Sequence, residues 1–251
     1  MQYSESHRAR LARLSRLVCA GLMVALVGIP AFAQRGGRGG PPQPAEATAP
    51  IDLTGYWVSV VTEDWKLRMV VPNPGVVDGV PVNGAARQIA NAWTRGTVPP
   101  DPCIAYGAPA LMRWPGRFHI TWENPQTLRI DTDYGTQTRL VHFDNADRGA
   151  PSRQGYSAGS WVNAPGGGGS LEVVTDNLLE GWIRKNGVPI SDQAVMTEYF
   201  DRHTLPNGDE WLTIIASVED PVYFNGPMIF STDYKRLPDD EGWTPTPCSI
   251  D

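Results

Sequence analysis

From Arg117 onward the chain is a series of short runs in which apolar and polar residues alternate, each ended by turn-forming residues. "RFHITWE", "TLRIDTD", "TQTRLVHF", "GSWVN", "SLEVVTD", "EGWIRK", "AVMTEYFDRHTL", "EWLTIIASVED" and "MIFSTDYKR" are rich in Val, Ile, Thr and aromatic residues, the composition of strands. Between them stand Asn124-Pro125, Tyr134-Gly135, Gly166 to Gly169, Asn186-Gly187 and Pro206-Asn207-Gly208, residues that preset turns or accept positive φ. Alternation sends successive side chains to opposite faces, so the apolar face must be covered by another sheet or enclosed by the same one. The expected fold is all-β: an antiparallel meander closed into a barrel, with the sandwich as the other solution.

Upstream, "IDLTGYWVSVVTED", "WKLRMVV" and "ALMR" read as further strands. One short inserted helix is expected over Asn83–Trp93, where Asn83 can cap the N-terminus and Ala85, Ile89 and Trp93 recur at i, i+4 and i+8. No strand–helix–strand alternation is visible. The glycines at 166–169 precede a strand rather than a helix and form no phosphate cradle. "GYSAGS" lacks the second glycine of a nucleophile elbow.

The first 33 residues read as a secretory signal peptide. Arg8, Arg10, Arg13 and Arg16 precede an apolar run ending in Ala31-Phe32-Ala33, with cleavage expected before Gln34. An uncleaved anchor is the other reading, but Pro30 interrupts a run already short for a span of about 20 residues. Residues 34–50 are Gly- and Pro-rich and read as a disordered linker; residues 51–251 read as a single barrel domain. The location implied is periplasmic or secreted. Losing four arginines and one glutamate with the signal takes the net charge from −6 to −9. Such a chain has no electrostatic footprint for nucleic acid or anionic lipid. Cys19 leaves with the signal. Cys103 and Cys248 are then expected to form one disulfide in an oxidising compartment, with two free thiols as the alternative.

Gly55-Tyr56-Trp57 opens the first strand and resembles the G-x-W of lipocalin-like (calycin) barrels. Thr-Asp-Tyr at 132–134 and 232–234 and the late Lys235-Arg236 are similar to further features of that superfamily, at different spacings. The layout also resembles secreted bacterial proteins of unknown function that begin "LTG-x-W" and carry a Cys-containing loop before the meander. The resemblance implies a lipocalin-like barrel whose Trp57 closes one end and whose mouth and interior suit a small apolar ligand.

The chemistry-bearing residues concentrate in "HITWENPQTLRIDTDYGTQTRLVHF". A three-residue loop at Asn124–Gln126 sets Glu123 opposite Thr127, His119 opposite Asp131 and Thr121 opposite Arg129. Arg117, His119, Thr121, Glu123, Arg129 and Asp131 then share one face, and Phe118, Ile120, Trp122, Leu128 and Ile130 the other. A second three-residue turn sets Asp131 opposite Arg139 and puts His142 on the apolar face. Inside a barrel, a carboxylate beside an imidazole would serve acid–base catalysis. Outside it, the same row would be solvated cross-strand pairs.

Tyr199, Asp201 and His203 alternate onto one side of a later strand and form a second candidate set. Trp161, Trp182 and Trp211 are candidates for a cavity lining. The histidines share no metal-ligand spacing, and neither a metal nor another cofactor is expected. Together these residues point to an exported lipocalin-like protein that binds a small hydrophobic or aromatic molecule in its barrel. The alternatives are a cofactor-independent lyase, isomerase or hydratase using a His–Asp pair, and a cell-envelope interaction protein.

Overall fold

The computed structural model describes residues 43–97 and 99–250; the expected signal segment lies outside them. The alternating runs become β1 (Gly55–Val60), β2 (Arg117–Asn124), β3 (Thr127–Thr132), β4 (Thr138–His142), β5 (Tyr156–Asn163), β6 (Gly169–Asp176), β7 (Gly181–Arg184), β8 (Val188–Ile190), β9 (Val195–Thr204), β10 (Glu210–Glu219) and β11 (Met228–Leu237). Nine of them close into a barrel in the order β1-β11-β10-β9-β6-β5-β4-β3-β2, while β7 and β8 form a separate hairpin. Pairing is antiparallel throughout the wall except at β4 and β5, which run parallel through Val141↔Ser157 and His142↔Ala158. A parallel neighbour needs a crossover of about a dozen residues, and the stretch from Phe143 to Gly155 supplies it. The wall is therefore a meander with one interruption.

The two non-strand errors of the sequence reading sit together. "WKLR" is not a strand but the short helix α1 (Trp65–Arg68), and "ALMR" overlaps α3 (Ala108–Leu111). In the first segment Trp65, Met69 and Val70 are exposed and Arg68 is buried, whereas α3 is buried along its length. The expected helix is α2 (Gly84–Ala92), with the Asn83 side chain accepting from the Ala86 amide at 3.0 Å. Its buried side is Ala86 and Ala90, with Trp93 after its end, while Ile89 is exposed. The helix is turned by one residue from the expected face. Among the described residues, no helix is long and apolar enough to cross a membrane.

The opposite end of the barrel is closed by Trp57. It is fully buried, donates from Nε1 to the Leu53 carbonyl at 3.0 Å, and has the Arg236 guanidinium 5.9 Å from its ring centroid. Nine strands and a parallel pair depart from an eight-stranded up-and-down barrel. Residues 43–50, expected to be linker, lie against this end: Trp161 donates to the Ala45 carbonyl at 2.9 Å, and Glu46 pairs through its amide with Pro125.

Inward side chains fill the wall. Phe118, Ile120, Ile130, Leu171, Phe200 and Leu212 have no accessible surface. A void able to hold water would leave accessible area on the side chains lining it, so the space these residues share is packed. Across the same interior, Arg139 on β4 meets Glu198 on β9 at 2.6 and 3.2 Å. Arg139 also donates to Thr175 at 3.2 Å and Ser157 at 3.4 Å. Both charges are fully buried.

Two predictions follow from the buried pair and the disulfide. Glu198→Ala leaves a buried guanidinium without its carboxylate and should cost about 3–5 kcal/mol in urea unfolding. Arg139→Met/Glu198→Leu, which removes both charges, should recover most of that loss. Cys103 and Cys248 are bonded, with Cα atoms 5.1 Å apart and 145 residues between them in sequence. Cys103→Ser/Cys248→Ser should lower unfolding stability by up to about 4–5 kcal/mol, the closure entropy of so long a loop.

Candidate functional site

The first hairpin places the sequence candidates on the outside of the barrel. His119 pairs with Asp131 and Thr121 with Arg129, in the expected register. The route differs: Asn124 pairs with Thr127 across a two-residue turn, and Glu123 is a bulge. The Asn124 side chain accepts from the Gln126 amide at 2.9 Å and holds that turn. One bulged residue plus a two-residue turn gives the same offset as a three-residue loop, so the two faces remain segregated.

The next turn corrects the expected row. Asp131 faces Thr138, and Arg139 faces Ile130. The turn holds four residues, Asp133–Thr136, closed by the Thr132 amide donating to the Gln137 carbonyl at 2.9 Å, with positive φ at Gly135 and Thr136. A one-residue difference exchanges the faces of the whole following strand. Arg139 therefore points inward to Glu198. His142 lies on the outer side, stacked on Tyr156 at 5.2 Å and 3.4 Å from the Thr127 hydroxyl.

His119, half-buried, stacks on Tyr56 with ring centroids 3.8 Å apart, and Trp243 stands edge-on to both rings. These three aromatics and Asp131 line a shallow groove of about 370 Å³ beneath the C-terminal segment. The Asp131 carboxylate is engaged elsewhere. It accepts from Arg129 Nε at 2.7 Å and from the Thr138 hydroxyl at 2.5 Å. These bonds hold its proton affinity below the usual range despite partial burial. Arg129 also pairs with Glu123, and Arg117 with Asp133. Desolvation lowers the His119 pKa from its ordinary 6.5, with Asp131 opposing.

Tyr199, Asp201 and His203 do share one side of β9, and it is the exposed outer side. Tyr199 donates to Glu172 at 2.7 Å. The three candidate tryptophans are dispersed. Trp161 lies at the closed end beside Trp122 and Phe143. Trp182 packs near the disulfide. Trp211 pairs with His203 on the outer wall. Among the described residues no cluster of three or more His, Cys, Asp or Glu could hold a metal ion.

The residues that converge most tightly are others. At the capped mouth, a groove of about 470 Å³ is walled by Tyr106, Trp114 and Tyr134. Tyr106 comes from the Cys103 loop, Trp114 follows α3, and Tyr134 lies in the four-residue turn. Two glycines permit this packing. A Cβ at Gly116 would lie 2.0 Å from the Tyr134 ring, and one at Gly135 would lie 2.3 Å from the Tyr106 ring. Trp114 Nε1 donates to the Ala105 carbonyl at 2.9 Å. The Tyr106 hydroxyl donates to the Ser249 carbonyl at 2.9 Å and accepts from its amide at 3.2 Å. The disulfide thus fixes two walls, since the tail from Thr246 to Ser249 borders the groove.

Lys185 stands 5.3 and 5.1 Å from the Tyr106 and Trp114 ring centroids. Arg68, also lining the groove, donates from Nη1 to Glu63 at 2.7 Å and from Nε to the Arg113 carbonyl at 2.9 Å. Its Nη2 and the Tyr134 hydroxyl are buried without a hydrogen-bond partner. Burial keeps the Tyr134 phenol protonated well above its ordinary range. Met69 and Val70 form an exposed apolar rim.

The sequence reading missed this site because it took "WKLR" and "ALMR" as strands. Its usable signal was the Cys103–Cys248 pairing, which already joined the Tyr106 loop to the tail. No protein-family model, curated protein or solved structure matches the chain.

The state of His119 is open to direct measurement. Its imidazole should titrate below 6.5 by NMR. Because the folded pKa is depressed, the unfolded chain binds more protons between the two values, so stability falls as pH drops from 6.5 through the folded pKa. His119→Gln should remove that component of the acid slope.

Proposed function

We propose that the protein binds a small molecule with an aromatic or hydrophobic body in the groove at the capped mouth of its barrel. The observation that carries this reading is the convergence of Tyr106, Trp114 and Tyr134, from three separate segments, around about 470 Å³. Concave sites with aromatic walls and a few placed polar groups are the usual form of small-molecule pockets. The walls are held by hydrogen bonds and by the disulfide before any ligand arrives, which lowers the ordering cost of binding. The packed interior directs the ligand to the mouth rather than into the barrel. The disulfide fits an oxidising, extracytoplasmic location.

The His119 groove favours a second reading, acid–base chemistry by a neutral imidazole on a substrate under Trp243. It ranks lower because Asp131 is bound to Arg129 and Thr138, and no hydrogen bond from it orients His119. An interaction surface has less support. Val174 and Ile229 occupy one outer cross-strand row, but Thr197 and Ser217 separate them. That row is broken by polar residues, unlike the contiguous apolar patches that mark docking sites.

Titration with naphthalene derivatives, followed by tryptophan fluorescence, tests the first reading. Val70→Asp changes only the exposed rim and should weaken binding by about tenfold, while Trp114→Leu removes a wall and should weaken it further. Unchanged affinity in both variants would place the ligand elsewhere. A dependence on His119→Ala alone would favour the outer groove.

A further inference from the structure

The outer wall carries a second groove, and its polar groups can be reached from solvent. Tyr56, His119, Asp131 and Thr138 pair in turn across β1, β2, β3 and β4, so they form one cross-strand row. Neighbouring strands lie about 4.8 Å apart, so the row is about 14 Å long, aromatic at one end and polar at the other. Trp243, from the C-terminal tail, stands beside the aromatic end, and together they line a groove of about 370 Å³. The tail is fixed before any ligand arrives: Cys248 is bonded to Cys103, and the Thr246 amide donates to the Asp133 carbonyl at 2.7 Å. Neither ring nitrogen of His119 makes a hydrogen bond, and neither is sealed from solvent. Desolvation lowers its pKa, so at neutral pH the ring is uncharged and offers one donor and one acceptor. The Arg129 and Asp131 side chains are 37% and 26% exposed. Asp131 accepts one bond at each oxygen, from Arg129 and from Thr138, and keeps a lone pair on each. Arg129 donates to Asp131, Glu123 and Thr138 and has N–H groups left over.

From these groups we infer that the outer groove binds a neutral saccharide, with a pyranose ring against Trp243 and its hydroxyls on His119, Asp131 and Arg129. This site is separate from the mouth groove and does not rest on it. Charge argues against other ligand classes. Arg129 balances Asp131 within the groove, so an anion meets the carboxylate and a cation meets the guanidinium. A wholly apolar ligand would strip water from both groups and replace none of its hydrogen bonds. A flat aromatic ligand needs a parallel slot. Tyr56 and His119 already stack on each other, with an interplanar angle of 3°, and Trp243 crosses them at 72° and 74°, so the three rings form a corner. A puckered sugar ring fits a corner, with its C–H groups toward the aromatics and its hydroxyls toward the polar end of the row. Each hydroxyl both donates and accepts, which matches the adjacent imidazole, carboxylate and guanidinium.

The experiment is saturation-transfer NMR on the disulfide-bonded chain with cellobiose, maltose and lactose, and with open-chain sorbitol as the control. At least one disaccharide should receive saturation, concentrated on the C–H protons of one ring face, and sorbitol should receive none. Among single rings, glucose should exceed glucuronate and glucosamine, which add a charge of either sign. Trp243→Ala, in the tail outside the barrel wall, should abolish the signal and leave the urea midpoint unchanged. Asp131→Asn keeps the shape but turns a charge-assisted hydrogen bond into a neutral one, and should weaken binding about tenfold. Val70→Asp, at the mouth groove, should change nothing. Disaccharide signals no larger than that of sorbitol overturn the inference. So does a stronger response from either charged sugar, or binding that survives both Trp243→Ala and Asp131→Asn. Binding lost in Val70→Asp instead assigns the sugar to the mouth and overturns the outer site.

Discussion

The buried contact between Arg139 and Glu198 governs how the barrel is assembled. It spans the interior from β4 to β9. Thr175 and Ser157, on the two strands between them, complete the guanidinium's hydrogen bonds and bond to each other at 2.8 Å. The pair thus crosses the weakest seam of the wall, where β4 and β5 run parallel through only two residue pairs. Two charges in an apolar interior are tolerable only when each is satisfied. Any register that moved Arg139 or Glu198 outward would leave the other stranded, and that requirement is a physical reason for a unique arrangement at this seam.

A filled interior has a consequence for where function can lie. A closed β-barrel offers two places for a small molecule, the lumen and the mouth. Here Phe118, Ile130, Phe200 and their neighbours occupy the lumen, and the charged pair crosses it. The mouth, by contrast, is built from irregular segments that need not obey strand alternation. α1, the Cys103 loop, α3, the four-residue turn and the tail meet there, and the disulfide joins two of them. Loops held on a rigid scaffold are where binding residues concentrate, because the wall supplies stability and leaves the loop side chains free for chemistry.

Much of the architecture was legible. The strand runs from Arg117 to Arg236, the Asn83 cap and the Cys103–Cys248 bond all follow from local chemistry or from a count of two cysteines. His119 opposite Asp131 was also legible, because the polar and apolar residues of that hairpin segregate only in one offset. Arg139 was not. Its position depends on whether the turn around Tyr134 holds three residues or four, and Gly135 is compatible with both. The same parity error misplaced His142. Tyr106, Trp114 and Lys185 were illegible as a group, since they lie far apart in sequence and carry no shared spacing.

By itself the sequence determined the all-β class, the places of the main turns and the acidic balance of the chain, and it made a closed wall and a tied tail the expected outcomes. These depend on period-two patterning, turn residues and composition, which act locally or by simple counting. Only the tertiary structure decided which hairpin face meets water, that the lumen is full, and that the aromatic and basic residues of the cap surround one groove. Those outcomes depend on turn lengths that shift whole strands by one residue and on long-range convergence of irregular segments. Neither leaves a periodic mark in the chain.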